Sequence, residues 1–154
     1  MFLNPRIKIP RILLIEDNLG DAQLIIEGIK ENGREIHLDI FADGAEAMDF
    51  LHKKNSYPNA KLPNIILLDL NLPKKNGEIL LKEIKSDPKL RHIPIIILTV
   101  SQAEEDILQC YTLYANCYII KPFEITNLMI YLNQLIHFWF DIATLPKNKD
   151  MANE

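Results

Sequence analysis

Four short runs of unbroken apolar residues punctuate the chain: Ile12-Leu13-Leu14-Ile15, Ile65-Ile66-Leu67-Leu68, Ile95-Ile96-Ile97-Leu98 and Cys117-Tyr118-Ile119-Ile120. Apolarity without alternation is the pattern of strands covered on both faces, as in a parallel sheet. A fifth run, His37 to Phe41, alternates more and predicts a strand nearer the sheet edge. Between the runs the apolar residues recur at a helical period. Ala22, Ile25, Ile26 and Ile29 form one stripe, which Gly33 stops. Ala47, Met48 and Leu51 follow Asp43-Gly44, and Ile79, Leu80 and Ile84 lie between Asn76-Gly77 and Pro88. Ile107, Leu108, Tyr111 and Tyr114 follow Ser101, a candidate N-cap with Glu104 three residues on. Ile125 to Phe140 supplies the last and longest helix, and Asn55 to Pro63, with two prolines, reads as a surface loop. Strand then helix, five times over, predicts an α/β, doubly wound five-stranded parallel sheet flanked by five helices. Right-handed crossovers place helices on both faces.

A length of 154 residues suggests one domain with a core that needs neither disulfides nor metals. The formal net charge of −4 supplies no basic footprint, so nucleic acid is not an expected partner. The apolar runs are too short to cross a bilayer, so no membrane association is expected. Met1 to Pro10 lacks the apolar stretch of a signal peptide. The expected layout is a loose arm over 1–9, a domain over 10–146 and a flexible tail over 147–154. Cys110 and Cys117 fit no metal spacing or disulfide framework, which favours a reducing, cytoplasmic setting with both as small buried hydrophobes. His37, His52, His92 and His137 are scattered, with no pair at metal-binding spacing on one helix.

The chemistry gathers where the strands end. Strand one runs into Glu16-Asp17, strand three into Asp69-Leu70-Asn71, strand four into Thr99 and strand five into Lys121-Pro122. In a doubly wound sheet the functional crevice lies at the carboxyl ends of the strands. Each residue alone has a bland explanation: a cap, a turn, a β-branched strand residue, a surface lysine. Together they bring three carboxylates, a hydroxyl and an ammonium to one edge. Two carboxylates about 4 Å apart repel by roughly 4 kcal/mol at an effective dielectric near 20, so three need a counter-charge or protons. Oxygen ligands in an open site suit Mg²⁺, or Mn²⁺, which leaves room for a phosphoryl group. A carboxylate there can act as nucleophile, with Lys121 neutralising charge and Thr99 hydrogen-bonding a phosphoryl oxygen.

The set Glu16-Asp17, Asp69, Thr99 and Lys121-Pro122, with its intervals, resembles the receiver domain of two-component response regulators, a flavodoxin-like (βα)5 fold of the CheY-like type. The resemblance spans roughly Pro10 to Phe140 and implies a single-domain response regulator rather than an enzyme. It implies Asp69 as phospho-acceptor, with Glu16, Asp17, Asp69 and the Asn71 backbone carbonyl around the metal. Thr99 would be the switch hydroxyl, Lys121 the phosphoryl partner and Tyr118 the aromatic that turns inward when Thr99 moves. The Lys121–Pro122 bond is cis in many receivers and is expected so here. Val100 departs from the smaller residue that often follows the switch threonine. The segments Asp69-Leu-Asn-Leu-Pro-Lys-Lys-Asn-Gly77, Asn116-Cys-Tyr-Ile-Ile-Lys121, Phe138-Trp139 and Ala143-Thr-Leu-Pro146 look like those of cyanobacterial phytochrome-associated response regulators. That likeness implies a sensor histidine kinase of the phytochrome type as partner, and pairing as a homodimer. One apolar stripe of the last helix must pack on the sheet, and Tyr131, Phe138 and Phe140 are left over, which predicts a homodimer through the fourth helix, fifth strand and last helix. Two alternatives stand beside it. A haloacid-dehalogenase-type phosphatase would need an Asp where Asn71 stands. A phosphorylation-independent binding module would usually have lost one of the key residues.

Overall fold

The computed structural model describes residues 6–73 and 75–148. Five strands and five α-helices alternate: β1 (Arg11–Ile15), α1 (Leu19–Glu31), β2 (His37–Phe41), α2 (Gly44–Leu51), β3 (Ile65–Leu68), α3 (Gly77–Ser86), β4 (Ile95–Thr99), α4 (Glu104–Thr112), β5 (Cys117–Ile120) and α5 (Ile125–His137). All strand pairs are parallel, in the order β2-β1-β3-β4-β5. The chain therefore steps outward from β1 to β2, then crosses back to β3 on the other side. Its switch point falls between β1 and β3, where crevices form in such sheets.

The continuous apolar runs are explained by two core layers. Leu13, Ile15, Ile66, Leu68, Ile95 and Ile97 face a layer supplied by α2, α3 and the buried Cys110 of α4. Ile12, Leu14, Ile65, Leu67, Ile96 and Leu98 face α1 and α5. Side chains alternate across a strand, so the runs had to be apolar at every position to fill both layers. Three helices begin on side chains that accept a backbone N–H: Asn18 from Asp21, Asp43 from Ala45 and Asn76 from Ile79. Gly33 adopts φ +82°, which ends the turn after α1.

Several expectations need correction. The fourth helix is not capped by Ser101. The chain stays extended to Ala103, and the Ser101 hydroxyl is taken up by Asp106 Oδ2 at 2.5 Å. The stripe Leu108, Tyr111, Tyr114 faces outward, at 69, 48 and 75 % exposure, while Cys110 is the one α4 residue in the core. Ile79 is also exposed; Leu81 takes its place beside Leu80 and Ile84. β5 reads as an interior strand but is an edge, with all four residues half-buried, Cys117 included. α5 stops at His137 and the chain continues through a π-helical turn, Phe138–Ile142. The described parts of both ends are anchored. Arg6 donates to the Leu145 carbonyl at 2.7 Å, and Asn148 is 5 % exposed, donating to the Leu62 and Pro63 carbonyls at 3.3 and 2.9 Å. The Asn148 amide thereby satisfies carbonyls of the loop that enters β3. The remainder of the expected loose ends, 1–5 and 149–154, lies outside the described residues.

Candidate functional site

The strand ends deliver the expected residues to one place. Glu16 directly follows β1, its N–H bonded to the Phe41 carbonyl at 3.0 Å, and its carboxyl is buried. Asp17 follows and is exposed. Asp69 follows β3, its N–H bonded to Ile15 carbonyl at 3.1 Å, and is 6 % exposed. One carboxylate oxygen from each of Glu16, Asp17 and Asp69 lies within 4.8 Å of the others. The Lys121 N–H bonds to the Thr99 carbonyl at 2.7 Å, extending the β4–β5 ladder and aiming its side chain back over the crevice. Its ammonium donates to Glu16 Oε2 at 2.7 Å, Asp21 Oδ2 at 3.1 Å and Asp69 Oδ2 at 3.4 Å.

Burial and charge divide the carboxyls. Burial lifts Glu16 to about 7 even though Lys121 pulls the other way. Burial also works against the Asp69 carboxylate. A hydrogen bond from Glu16 and the charge of Lys121 more than offset it and hold Asp69 below its ordinary value. Lys121 itself is raised: burial would lower it, but its carboxylate partners win. The site is thus short of positive charge, and a proton on Glu16 relieves part of the deficit.

Thr99 is fully buried at the end of β4, close enough to help lower Asp69, yet its hydroxyl oxygen makes no hydrogen bond of good geometry. Few buried polar groups in folded proteins are left so. The Asn71 N–H folds back to Asp69 Oδ1 at 3.3 Å, setting the turn after the acid. Gly77 packs against this turn: a Cβ there would meet the Asp69 carbonyl oxygen at 2.4 Å. Tyr118 is half-buried and donates its hydroxyl to the Ser101 carbonyl at 3.0 Å, tying β5 to the loop after β4. Val100 is 59 % exposed, at the rim of a groove shared with Lys121, Pro122 and Phe123. The expectation of a cis Lys121–Pro122 bond is overturned: no described peptide bond is cis. Trans is the form X–Pro bonds prefer by about 0.5–1 kcal/mol, and Lys121 reaches its partners from it.

Two site residues escaped the sequence. Asp21, one turn into α1, joins Lys121, and the signal was only its place a helical turn beyond Asp17. Gly77 looked like a helix opener alone, because a close approach of backbone to backbone leaves no mark in a sequence.

Residues 12–133 match the family model of the response regulator receiver domain, and the chain belongs to that family. It is a response regulator of two-component signalling. It is 42 % identical over 135 residues to Response regulator Rcp1 of Synechocystis sp. (strain ATCC 27184 / PCC 6803 / Kazusa), covering 88 % of this chain and 92 % of that protein. Among solved structures it resembles the phosphorylated cyanobacterial phytochrome response regulator RcpA, with TM-score 0.87 and 42 % identity over 90 % of this chain and 99 % of that one. The Mn²⁺-bound form of Rcp1 superposes with TM-score 0.85 and 41 % identity, over 90 % and 99 % of the two chains. The clustered carboxylates fit a divalent metal ion. No described helix is long and apolar enough to cross a membrane. With the family settled, the phosphatase alternative falls, and Asn71 stands where it would have required an acid.

Proposed function

We propose that Asp69 accepts a phosphoryl group from the phosphohistidine of a sensor histidine kinase, of the phytochrome type, in the cytoplasm. The carrying observation is the pairing of two unmet needs at one point: carboxylates short of counter-charge and a buried Thr99 hydroxyl without a partner. A divalent cation and a phosphoryl group would meet both. In the transfer, an Asp69 carboxylate oxygen attacks phosphorus, the phosphorus–nitrogen bond breaks, and its electron pair stays on the departing imidazole. Glu16, Asp17, Asp69 and the Asn71 carbonyl would hold Mg²⁺ or Mn²⁺, whose charge offsets that of the reacting oxygens. Lys121 would move from Asp69 to a phosphoryl oxygen. Thr99 would turn to donate to another, and Tyr118, already inward on Ser101, would follow that movement. Asp69→Asn removes the nucleophile, so acid-labile phosphate from acetyl phosphate or a kinase should vanish. A variant labelled as well as the wild type would end both this assignment and the site built around it. Labelling of the wild type separates the reading from that of a phosphorylation-independent module.

The proposed receiver domain runs over 10–146, with Arg6 and Asn148 tied to it from just outside those limits, and the signal is carried by shape change and assembly rather than turnover of a substrate. A homodimer through α4, β5 and α5 is supported by the outward Leu108, Tyr111 and Tyr114 of α4, the half-buried edge strand, and Tyr131 and Phe138 at 44 and 47 % exposure. An unpaired edge beside exposed aromatics is a surface that proteins usually cover. Phe140 packs on the core and is not part of it. Phosphorylation would shift this equilibrium rather than create it. Sedimentation at micromolar concentration should show a dimer; a monomer in both phosphorylation states would remove it.

A further inference from the structure

The Lys121 ammonium has three hydrogens and three carboxylate partners, and the third partner, Asp21, is not among the clustered metal-binding candidates. Its presence follows from the local fold. Asn18 caps α1 by accepting the Asp21 N–H at 2.9 Å, which fixes Asp21 as the third helical residue, one turn past Asp17 and beside the crevice. The Lys121 side chain is only 7 % exposed, so water cannot easily replace a carboxylate that lets go of it. The Asp21 side chain is 40 % exposed, so water can replace the ammonium. Among the described residues, Lys121 is the one hydrogen-bond donor to the Asp21 carboxylate. The contact is therefore one that Asp21 can release at small cost and Lys121 cannot leave without a substitute.

We infer that Asp21 is a positioning residue that shares the Lys121 ammonium with Glu16 and Asp69 before phosphorylation and yields it to the phosphoryl group afterwards. The inference rests on the assignment of Asp69 and Lys121 made above. It has two consequences of opposite sign. While no phosphoryl group is present, Asp21 draws the ammonium part of the way off Glu16 and Asp69, leaving their oxygens freer for a cation, and adds negative charge nearby. Once a phosphoryl group is present, the same carboxylate competes with it for Lys121 and repels it. Asp21 thus favours the metal and opposes the phosphoryl group, a bias toward the metal-loaded but unphosphorylated form.

The test uses the full chain. Mg²⁺ affinity is measured by calorimetry, and affinity for beryllofluoride, a phosphoryl mimic, is measured at saturating Mg²⁺. Asp21→Asn should weaken Mg²⁺ binding and tighten beryllofluoride binding, each by about three- to tenfold, the size expected of one partly exposed charge a few ångströms away. Asp21→Glu should stay near wild type, since the longer carboxylate can still reach Lys121 from an exposed position. In a Lys121→Met background the Asp21→Asn change should lose most of its effect on Mg²⁺, because residues acting through one another do not add. A general loosening of α1 would weaken both ligands together. Affinities that move in the same direction, or not at all, overturn the inference, as does an undiminished effect without Lys121. A wild type that binds neither Mg²⁺ nor beryllofluoride overturns the site assignment as well; a wild type that binds both, without the split, overturns the role of Asp21 alone.

Discussion

The two ends of the one sheet bury polar groups to opposite purposes. At the amino ends of the strands the polar groups are matched. The Asn64 side chain accepts the Arg11 N–H at 2.8 Å, and Asn116 accepts that of Ile95 at 2.9 Å. Asn148 donates to two carbonyls and meets His92 Nε2 at 2.9 Å. Asn64 and the exposed Asn116 each take up the first N–H of a strand, and the buried Asn148 serves the loop that enters β3. At the carboxyl ends, carboxylates compete for one ammonium, Glu16 is lifted to about 7, and the Thr99 hydroxyl has no partner. Groups left unmet in the free protein are groups that a ligand can satisfy. One end is built for stability and the other holds stability in reserve for binding.

The largest expected effect comes from forcing the reserved end to move. Gly77→Ala places a Cβ against the Asp69 carbonyl oxygen and the Leu70 Cα, both backbone atoms that cannot swing aside. It should cost about 1–3 kcal/mol, nearer the upper figure, in urea unfolding, and weaken divalent-metal binding as well. Equal metal affinity in the variant would show that the turn does not shape the site.

Ligand addition should stabilise only through the carboxyl end. Mg²⁺ at one hundred times its dissociation constant should add about 2.7 kcal/mol by mass action. The gain should shrink markedly in Asp17→Asn and remain whole in Asn148→Ala. Thermal melts with and without Mg²⁺ decide it, and a gain unaffected by Asp17→Asn would place the cation elsewhere.

Removing polar groups should give opposite signs at the two ends. Asn148→Ala takes the Asn148 donor from the Pro63 carbonyl in a buried setting and should cost about 1–3 kcal/mol. Thr99→Val keeps the shape and removes an unpartnered hydroxyl, so it should leave the free protein as stable or up to about 1 kcal/mol more so, while slowing any response to beryllofluoride. A Thr99→Val protein that unfolds more readily would mean the hydroxyl is partnered after all.

The smallest effect is a pH test away from either end. Burial disfavours the Asp141 carboxylate, but hydrogen bonds from Arg34 and His137 outweigh it and hold the carboxyl below its ordinary value. A lowered folded pKa contributes stability that is full above the unfolded value near 3.9 and is lost as pH falls through the folded one. The stability difference between wild type and Asp141→Asn should therefore be present at pH 6 and fade below about pH 4. A difference that persists unchanged at pH 2 would assign the effect to packing.

Strand number, strand-to-helix order and the convergence of Glu16, Asp17, Asp69, Thr99 and Lys121 were legible in the residues alone. They rest on local rules: buried parallel strands must be apolar throughout, and a doubly wound chain brings every strand end to the same edge. What tertiary structure alone decided depends on neighbours that periodicity cannot name. Cys117 to Ile120 has the composition of an interior strand, yet strand order makes it an edge. Leu108, Tyr111 and Tyr114 have a helical spacing, yet it is Cys110 that meets the core. Asn148 looked like tail, because the carbonyls it serves lie 85 and 86 residues away along the chain. Asp21 looked like the ordinary acidic first turn of a helix, and only the return of Lys121 from β5, 100 residues later, gives it a partner. A local pattern records which face a residue needs covered or solvated; what covers it is set by the path of the whole chain.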